Sequence, residues 1–380
     1  MILTADLHLG MSNNSVVDSE SNLPSQLIDT KYRLLEMVWW ASKDDHQLVV
    51  AGDVFDSVSP KAHVIEALFE VFAYAKKRKV QIILIPGNHD CDVKWDATVV
   101  AKAANFDNVT VISAPTVLKD TSQDVAYLPH MPRQEMERWL DANGSYGQYF
   151  KRLNAALLIG HGTVAGAKNS SEVEMEAGNS IEFIPKEHPR FHHVILGHIH
   201  KQQEVATSRG YSVWYPGSPV LTAFDEVKDK RGFLRASTSK IAFVPFSKSN
   251  KLVRQYGTVQ INLTESRFHA ETQIDERHKG KLLKISVTAK DPSQIDEKLI
   301  TEVYSQFSTV IRFEYEIIDS TKKKGTVVKS DEIVFSSLNH AKVFSAYIER
   351  RAKETEVSAK VKEEALRLGL EVIESCLSSK

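Results

Sequence analysis

Short apolar runs recur along the first half of the chain, and several stop at a glycine or at an ionisable pair. Ile2-Leu3-Thr4-Ala5 leads to Asp6-Leu7-His8, and Leu48-Val49-Val50-Ala51 leads to Gly52-Asp53. Gln81-Ile82-Ile83-Leu84-Ile85 leads to Pro86-Gly87-Asn88-His89-Asp90, and Val194-Ile195-Leu196 leads to Gly197-His198-Ile199-His200. An unbroken apolar run of this length, bounded by turn residues, predicts a strand buried on both faces. The intervening segments have helical spacing. Thr30–Lys43 puts Leu34, Leu35, Val38 and Trp39 on one face, and Lys61–Lys79 repeats Val64, Ile65, Leu68, Phe69, Phe72 and Ala75. The pattern is that of an α/β sandwich with polar side chains gathered at the carboxyl ends of its strands.

The rest of the chain extends the pattern. A helix is expected around Ala101 and Ala104, a strand at Val109–Ile112, two sheet-edge segments within 115–130, a helix over Arg133–Leu140, and a strand at Ala155–Ile159 that ends in Gly160-His161-Gly162. Residues 11–30 read as a polar loop and Val164–Glu187 as a long polar excursion. Ser212–Tyr215 reads as a strand closed by the turn Pro216-Gly217-Ser218-Pro219. After Lys230 the texture changes: strands are expected at Gly232–Ala236, Lys240–Val244, Thr258–Leu263, Leu282–Val287 and Val310–Ile317, with a helix at Asp296–Ser305. Residues 331–350 and 353–378 carry apolar stripes that need a partner surface. The expected organisation is a main domain over 1–245, a small α+β domain over 250–320 and C-terminal helices over 331–380.

Composition narrows the class. The 380 residues are 42% hydrophobic and 26% charged, with a formal net charge of -1. No apolar run is long enough to span a membrane, and no apolar leader precedes the first strand. The near-neutral balance argues against a general cationic coat for nucleic acid, although a metal centre can neutralise a phosphate locally. Cys91 and Cys376 lie far apart and define no disulfide framework. These features lead us to expect a cytoplasmic protein.

The strand-end residues carry the chemistry. Hydrolysing a phosphodiester requires a nucleophilic hydroxide, charge relief at the phosphoryl oxygens and help for the leaving alkoxide; two ions about 3.5–4 Å apart supply the first two. Asp6 and His8 are two residues apart, so continued strand geometry would turn both to the same side. Asp53 is placed as the carboxylate bridging two ions. One ion takes Asp6, His8, Asp53 and His200; the other takes Asp53, Asn88, His161 and His198. Mixed nitrogen and oxygen ligation suits Mn, Fe or Zn better than Ca or Mg. His89 is left to act at the phosphate, stabilising charge or protonating the leaving oxygen. Asp56 is expected to orient His89, and Asp90 to close its turn through an Asx-type hydrogen bond. A lone Asp-x-His or His-x-His is a weak signal. The reading rests on five such motifs in order, each closing an apolar strand.

Asp6-Leu7-His8, Gly52-Asp53-Val54-Phe55-Asp56, Gly87-Asn88-His89-Asp90, Gly160-His161-Gly162 and Gly197-His198-Ile199-His200 together resemble the calcineurin-like metallophosphoesterase superfamily. Leu9-Gly10 after the first motif, the full Gly52–Asp56 segment and Tyr215-Pro216-Gly217-Ser218-Pro219 resemble the Mre11/SbcD nucleases within it, in a compact bacterial or bacteriophage form. The resemblance implies a two-sheet sandwich flanked by helices, with a small α+β capping domain and C-terminal helices. It implies two divalent ions, manganese by preference, and a 3′–5′ exonuclease on duplex ends that also cuts single-stranded or hairpin DNA. It implies a homodimer, away from any membrane, working with a Rad50/SbcC-type coiled-coil ATPase in double-strand break repair, recombination or replication. Its place would be the bacterial cytoplasm, or the host cytoplasm if phage-encoded. His89 would act at the leaving 3′ oxygen, residues 250–320 would help hold DNA, and the helices after 331 would dock on the ATPase. The chain departs from the pattern in three places, one of them the 162–187 excursion, which matches it poorly. Asp56 stands where some relatives carry His, and the usual Gly-Glu after the Gly-Ser-Pro turn is Asp225-Glu226 after Phe224. A phosphatase or small-nucleotide phosphodiesterase on the same metals, and a non-catalytic scaffold for the ATPase, are the alternatives. The first has less need of the residues beyond the catalytic region, and the second should have lost ligands.

Overall fold

The computed structural model describes residues 1–44, 46–91, 105–119, 124–131, 133–143, 157–173, 191, 193–206, 212–237, 239–247, 253–265, 268, 275–318 and 326–328. The chain divides into two compact units, Met1–Val17 with Leu23–Tyr256, and Asp18–Asn22 with Gly257–Lys380. The expected helix around Ala101 and Ala104, the later part of the 164–187 excursion and the C-terminal helices over 331–380 lie outside the described residues. No helix among the described residues is long and apolar enough to cross a membrane.

The first unit is built on two six-stranded mixed sheets. One contains β1 (Ile2–Thr4), β2 (Gln47–Ala51), β3 (Gln81–Ile85), β4 (Val109–Val111), β11 (Gly232–Ala236) and β12 (Ile241–Pro245) in the order β12-β11-β1-β2-β3-β4. β1 to β4 run parallel, and β11 and β12 extend the sheet antiparallel. The other contains β5 (Thr116–Lys119), β6 (Asp124–Leu128), β7 (Leu157–His161), β8 (His193–Gly197), β9 (Gln203–Ala206) and β10 (Ser212–Tyr215) in the order β5-β6-β7-β8-β10-β9. Its central strands β6, β7, β8 and β10 are parallel, and its edges β5 and β9 are antiparallel.

Alternation along each strand separates three apolar layers. Leu3, Val49, Ile83 and Ile85 pack with Tyr127, Leu157, Ile159 and Ile195 between the sheets. Ile2, Leu48, Val50, Ile82 and Leu84 face outward against Leu34, Val38, Leu68 and Phe72 of the helices α1 (Ser25–Asp44) and α2 (Ala62–Lys77). Leu128, Leu158, Val194 and Val213 form the outer layer of the second sheet. Both faces of the strands are covered, so both alternating sets must be apolar. Each such side chain removed from water contributes about 1.5–3 kcal/mol.

Several expectations shift. Trp39 is 40% exposed, because the buried face of α1 is Leu34, Met37, Val38 and Ala41, which turns Trp39 away. β6 lies inside its sheet between β5 and β7 and is not an edge. β9 is an added edge strand, and α3 spans Arg133–Asn143.

In the second unit, β13 (Tyr256–Asn262), β14 (Leu282–Ala289), β15 (Thr309–Ile317) and β16 (Thr326–Val328) form a sheet in that order, with β13 starting at the boundary residue Tyr256. β14 and β15 pair in parallel, and the connection between them carries α4 (Glu297–Ser305). Asp296 caps α4 by accepting from Leu299 N at 2.9 Å. Ile300 and Tyr304 of α4 pack with Leu283, Ile285 and Phe313.

Candidate metal centre

The parallel strands of both sheets bring their carboxyl ends to one site, and the chain leaves several of them through unusual backbone geometry. Asp6, His8, Asp53 and His198 have φ values of 54°, 43°, 50° and 97°. Non-glycine residues in this region are uncommon and persist where the surroundings hold them. Here Asp6 N donates to Gly52 O and His8 N to Asp53 O, both at 3.0 Å, joining the exit loops of β1 and β2. β1 ends at Thr4, so Asp6 and His8 do not reach a common side by strand alternation. They reach it through the left-handed turns. Gly52, with φ of 90°, leaves room for His161: a Cβ there would lie 1.9 Å from its Nδ1.

Asp90 ties the next loops together. Its Oδ2 accepts from Gly87 N at 2.8 Å and Val54 N at 3.0 Å, and its Oδ1 accepts from Phe55 N at 2.8 Å. It closes its own turn and also binds that turn to the loop after β2.

The expected ligand residues converge on two donor clusters, Asp6 with His8 and His200, and Asp53 with His161 and His198. Within each, the donor atoms lie within 4.8 Å of one another. Asp53 Oδ2 stands between them, 3.6 Å from His8 Nε2 and 3.4 Å from His161 Nε2. Asn88 Oδ1 lies 3.0 Å from His161 Nε2 and 3.0 Å from His198 Nδ1. Asp6 is fully buried. Its Oδ1 accepts from His198 N at 2.8 Å, while its Oδ2 has no hydrogen-bond partner among the described residues. A buried carboxylate oxygen without a donor is costly, and a cation satisfies it. The donor set therefore fits a pair of divalent ions.

The charges point the same way. Burial raises the Asp6 carboxyl. Burial also acts to raise Asp53, but His161 and His8 hold it well below the carboxylate range. Burial lowers the imidazole of His161, yet Asp53 and Asp6 outweigh it and bring it up to about 9. His198 is lowered to about 3 by burial and by His161. These buried carboxylates and imidazoles crowd a space where a divalent cation would balance the charge.

The outer nitrogens of His161 and His200 are anchored. His161 Nδ1 donates to Ala51 O at 3.0 Å, leaving Nε2 to face inward. His8 Nδ1 lies 3.3 Å from Asp56 Oδ1. His200 Nδ1 lies 3.0 Å from Glu226 Oε1 and 2.7 Å from Thr222 Oγ1. His89 is exposed beside the first cluster, its ring 4.7 Å from that of His8. Its Nδ1 donates to the carbonyl oxygen of Asp56 at 3.0 Å. The main chain of Asp56 thus contacts His89, and its carboxylate faces His8; His8, Asp56 and His89 form a third grouping of donors.

Two residues next to the site were given no part in it by sequence reasoning. Glu226 contacts His200 across 26 positions. The signal was present, since Asp225-Glu226 stood out as a departure, but nothing in the spacing tied it to His200. His130 is buried with its ring centroid 6.5 Å from that of His161.

Two adjoining clusters of carboxylate, amide and imidazole donors make a binuclear divalent-metal site, the active site of a metal-dependent hydrolase. A family model described as calcineurin-like phosphoesterase matches residues 1–202. The chain is similar to an SbcCD nuclease subunit (SbcD) of Staphylococcus epidermidis, 27% identical over 252 residues that cover 61% of this chain and 64% of that protein. It is also similar to a DNA double-strand break repair protein Mre11 of Methanopyrus kandleri, 26% identical over 256 residues that cover 61% of this chain and 51% of that one. The matches thus span less than two thirds of the length of these relatives. The solved structure of a dimetal phosphatase from Danio rerio matches 65% of this chain and 98% of its own at 12% identity and a TM-score of 0.41. On the match over residues 1–202 and the metal centre those residues build, the chain belongs to the calcineurin-like phosphoesterase family.

Proposed function

We propose that the chain is a manganese-dependent DNA nuclease of the Mre11/SbcD type, a 3′–5′ exonuclease on duplex ends and an endonuclease on single-stranded or hairpin DNA. The observation that carries the hydrolytic part is Asp53 Oδ2 lying between His8 and His161, where one carboxylate can bridge two ions. The choice of DNA is supported by similarity to nuclease and break-repair proteins over some 250 residues.

In this reading Asp6, His8, Asp53 and His200 hold one ion, and Asp53, Asn88, His161 and His198 hold the other. When bound, the pair supplies an activated water and positive charge at the phosphoryl oxygens. Asp53 and Asp6 balance that charge. His161, with Nδ1 fixed on Ala51, presents Nε2 inward. His89 stands at the open side with Nδ1 donating to Asp56 O, which leaves Nε2 as the nitrogen available to the leaving 3′ oxygen. Asp56 serves this step from its main chain and steadies His8 with its carboxylate. Residues 250–320, most of which fall in the second unit, would help hold DNA. The stripes Val334, Leu338, Val343, Tyr347 and Ile348, and Val357, Val361, Ala365, Leu368 and Val372, are the surface we assign to a Rad50/SbcC-type coiled-coil ATPase. The acting form is a homodimer in the cytoplasm.

Circular single-stranded DNA incubated with manganese should be cut by the wild type and not by Asp53→Ala. Hydrolysis confined to phosphomonoesters or small nucleotides would instead make the chain a phosphatase or small-substrate phosphodiesterase. Intact DNA in the absence of any hydrolysis, with ATPase binding retained, would leave a scaffold.

A further inference from the structure

The segment after the Gly217-Ser218-Pro219 turn is held more firmly than a connecting loop requires. Asn14 Nδ2 donates to Thr222 O at 2.8 Å, and Gln26 Nε2 donates to Leu221 O at 2.9 Å; Asn14, Gln26 and Thr222 are all buried. Phe224 is buried at the start of a 3-10 turn, Phe224–Lys228. This turn places Glu226, 4% exposed, beneath His200.

Both oxygens of Glu226 are committed. Oε2 accepts from Thr222 N at 2.9 Å and from Arg231 Nη2 at 2.6 Å. Oε1 accepts from the Thr222 hydroxyl and lies 3.0 Å from His200 Nδ1. Arg231 is fixed in turn by donating to Ser218 O at 3.0 Å and Glu226 O at 3.2 Å. A carboxylate only accepts, so the nitrogen facing it must carry a hydrogen. That assigns the Nδ1–H form to a neutral His200 and leaves the lone pair on Nε2. Nε2 is the nitrogen that faces His8 Nε2 at 3.1 Å, inside the first donor cluster.

We propose that Glu226 is a positioning residue of this centre: held by Arg231 and Thr222, it fixes the ring plane and tautomer of His200 so that Nε2 is presented to the ion shared with Asp6 and His8. This rests on the reading of His200 as a ligand. It extends that reading by making the affinity of one site depend on a carboxylate that touches no ion. Outer partners of metal-bound imidazoles are worth about 10–100-fold in affinity. The outer nitrogen of His161 instead rests on a main-chain carbonyl at 3.0 Å, with Asp6 Oδ1 no closer than 3.9 Å. The effect should therefore fall on one site only.

The test titrates manganese into metal-stripped protein and reads free ion by electron paramagnetic resonance, bound ion by elemental analysis and folding by circular dichroism. The variants are Glu226→Gln, His200→Ala and the two combined. Because Glu226→Gln leaves the half-buried Arg231 charge without its counter-ion, a paired change, Glu226→Gln with Arg231→Met, removes both charges together. The wild type should bind two ions. Each Glu226 variant should keep one at wild-type affinity and bind the other about 10–100-fold more weakly. In the His200→Ala background, Glu226→Gln should cost nothing further at that site. Two ions at wild-type affinity in folded Glu226 variants, or equal weakening of both, would overturn the positioning role while leaving the two-ion centre standing. A wild type that binds no pair of ions would overturn the centre itself, and this role with it.

Discussion

His8 and His200 lie 192 positions apart in sequence and bring their Nε2 atoms to 3.1 Å. The two rings meet beside the unpartnered Oδ2 of Asp6, with the outer nitrogen of His200 facing Glu226. A cation would satisfy that oxygen, so metal should stabilise the fold. With manganese at 100 times its dissociation constant, one site should add about 2.7 kcal/mol. Thermal melting of chelated and manganese-loaded protein checks this. Asp53→Ala should abolish most of the gain, because Asp53 serves both clusters; a full gain in the variant would remove it from the bridging position.

Gly52 is constrained twice, by its φ of 90° and by the His161 ring in the space a side chain would need. Gly52→Ala is expected to destabilise by more than about 1 kcal/mol and to lower the number of bound ions, since His161 must move to admit the methyl group. Urea unfolding and metal analysis on the same sample test both. A variant with wild-type stability and two bound ions would show that the loop relaxes without disturbing His161.

Asp29, 1% exposed on α1, pairs with Arg254 at 3.0 Å. Burial nonetheless raises its carboxyl to about 6, against an ordinary value of 3.8. Below about pH 4 the carboxyl is protonated in the folded and unfolded chain alike. Between about 4 and 6 the folded state keeps the proton that the unfolded state has lost, so this group's contribution to stability falls as pH rises. Above about 6 the full penalty, about 3 kcal/mol, is present. Asp29→Asn removes the titration. Relative to wild type, the variant should gain about 3 kcal/mol between pH 4 and pH 7, read from urea unfolding of metal-free protein. A gap that does not change with pH would contradict the assignment.

Much of this architecture was legible in the residues. Gln81–Ile85 and Ser212–Tyr215 occur as read, because Ile82–Ile85 are apolar and buried throughout and a proline follows each strand. The gathering of Asp53, Asn88, His161 and His198 followed from the carboxyl ends of parallel strands meeting across two mixed sheets. Other features had no local signature. The left-handed turns at Asp6 and His8 are imposed by bonds to the loop after β2, so the strand argument placed these side chains for the wrong reason. Trp39 is exposed because tertiary packing selects which part of a broad apolar helix face is buried. β9, Gln203–Ala206, is too short and polar to show a period. The contact of Glu226 with His200 depends on where a turn places the chain, which spacing alone does not encode.

In the proposed reaction this centre hydrolyses DNA from its ends with His89 at the leaving oxygen. That reaction is tested most directly with duplex DNA labelled at the 3′ or the 5′ end, with manganese present or chelated, and with wild type beside His89→Ala. The account predicts manganese-dependent release of nucleotides from the 3′ end. In His89→Ala that release should fall by about 10²–10⁴-fold while both ions stay bound. Duplex left intact by an enzyme that turns over a small phosphodiester, or unchanged cleavage by His89→Ala, would contradict it.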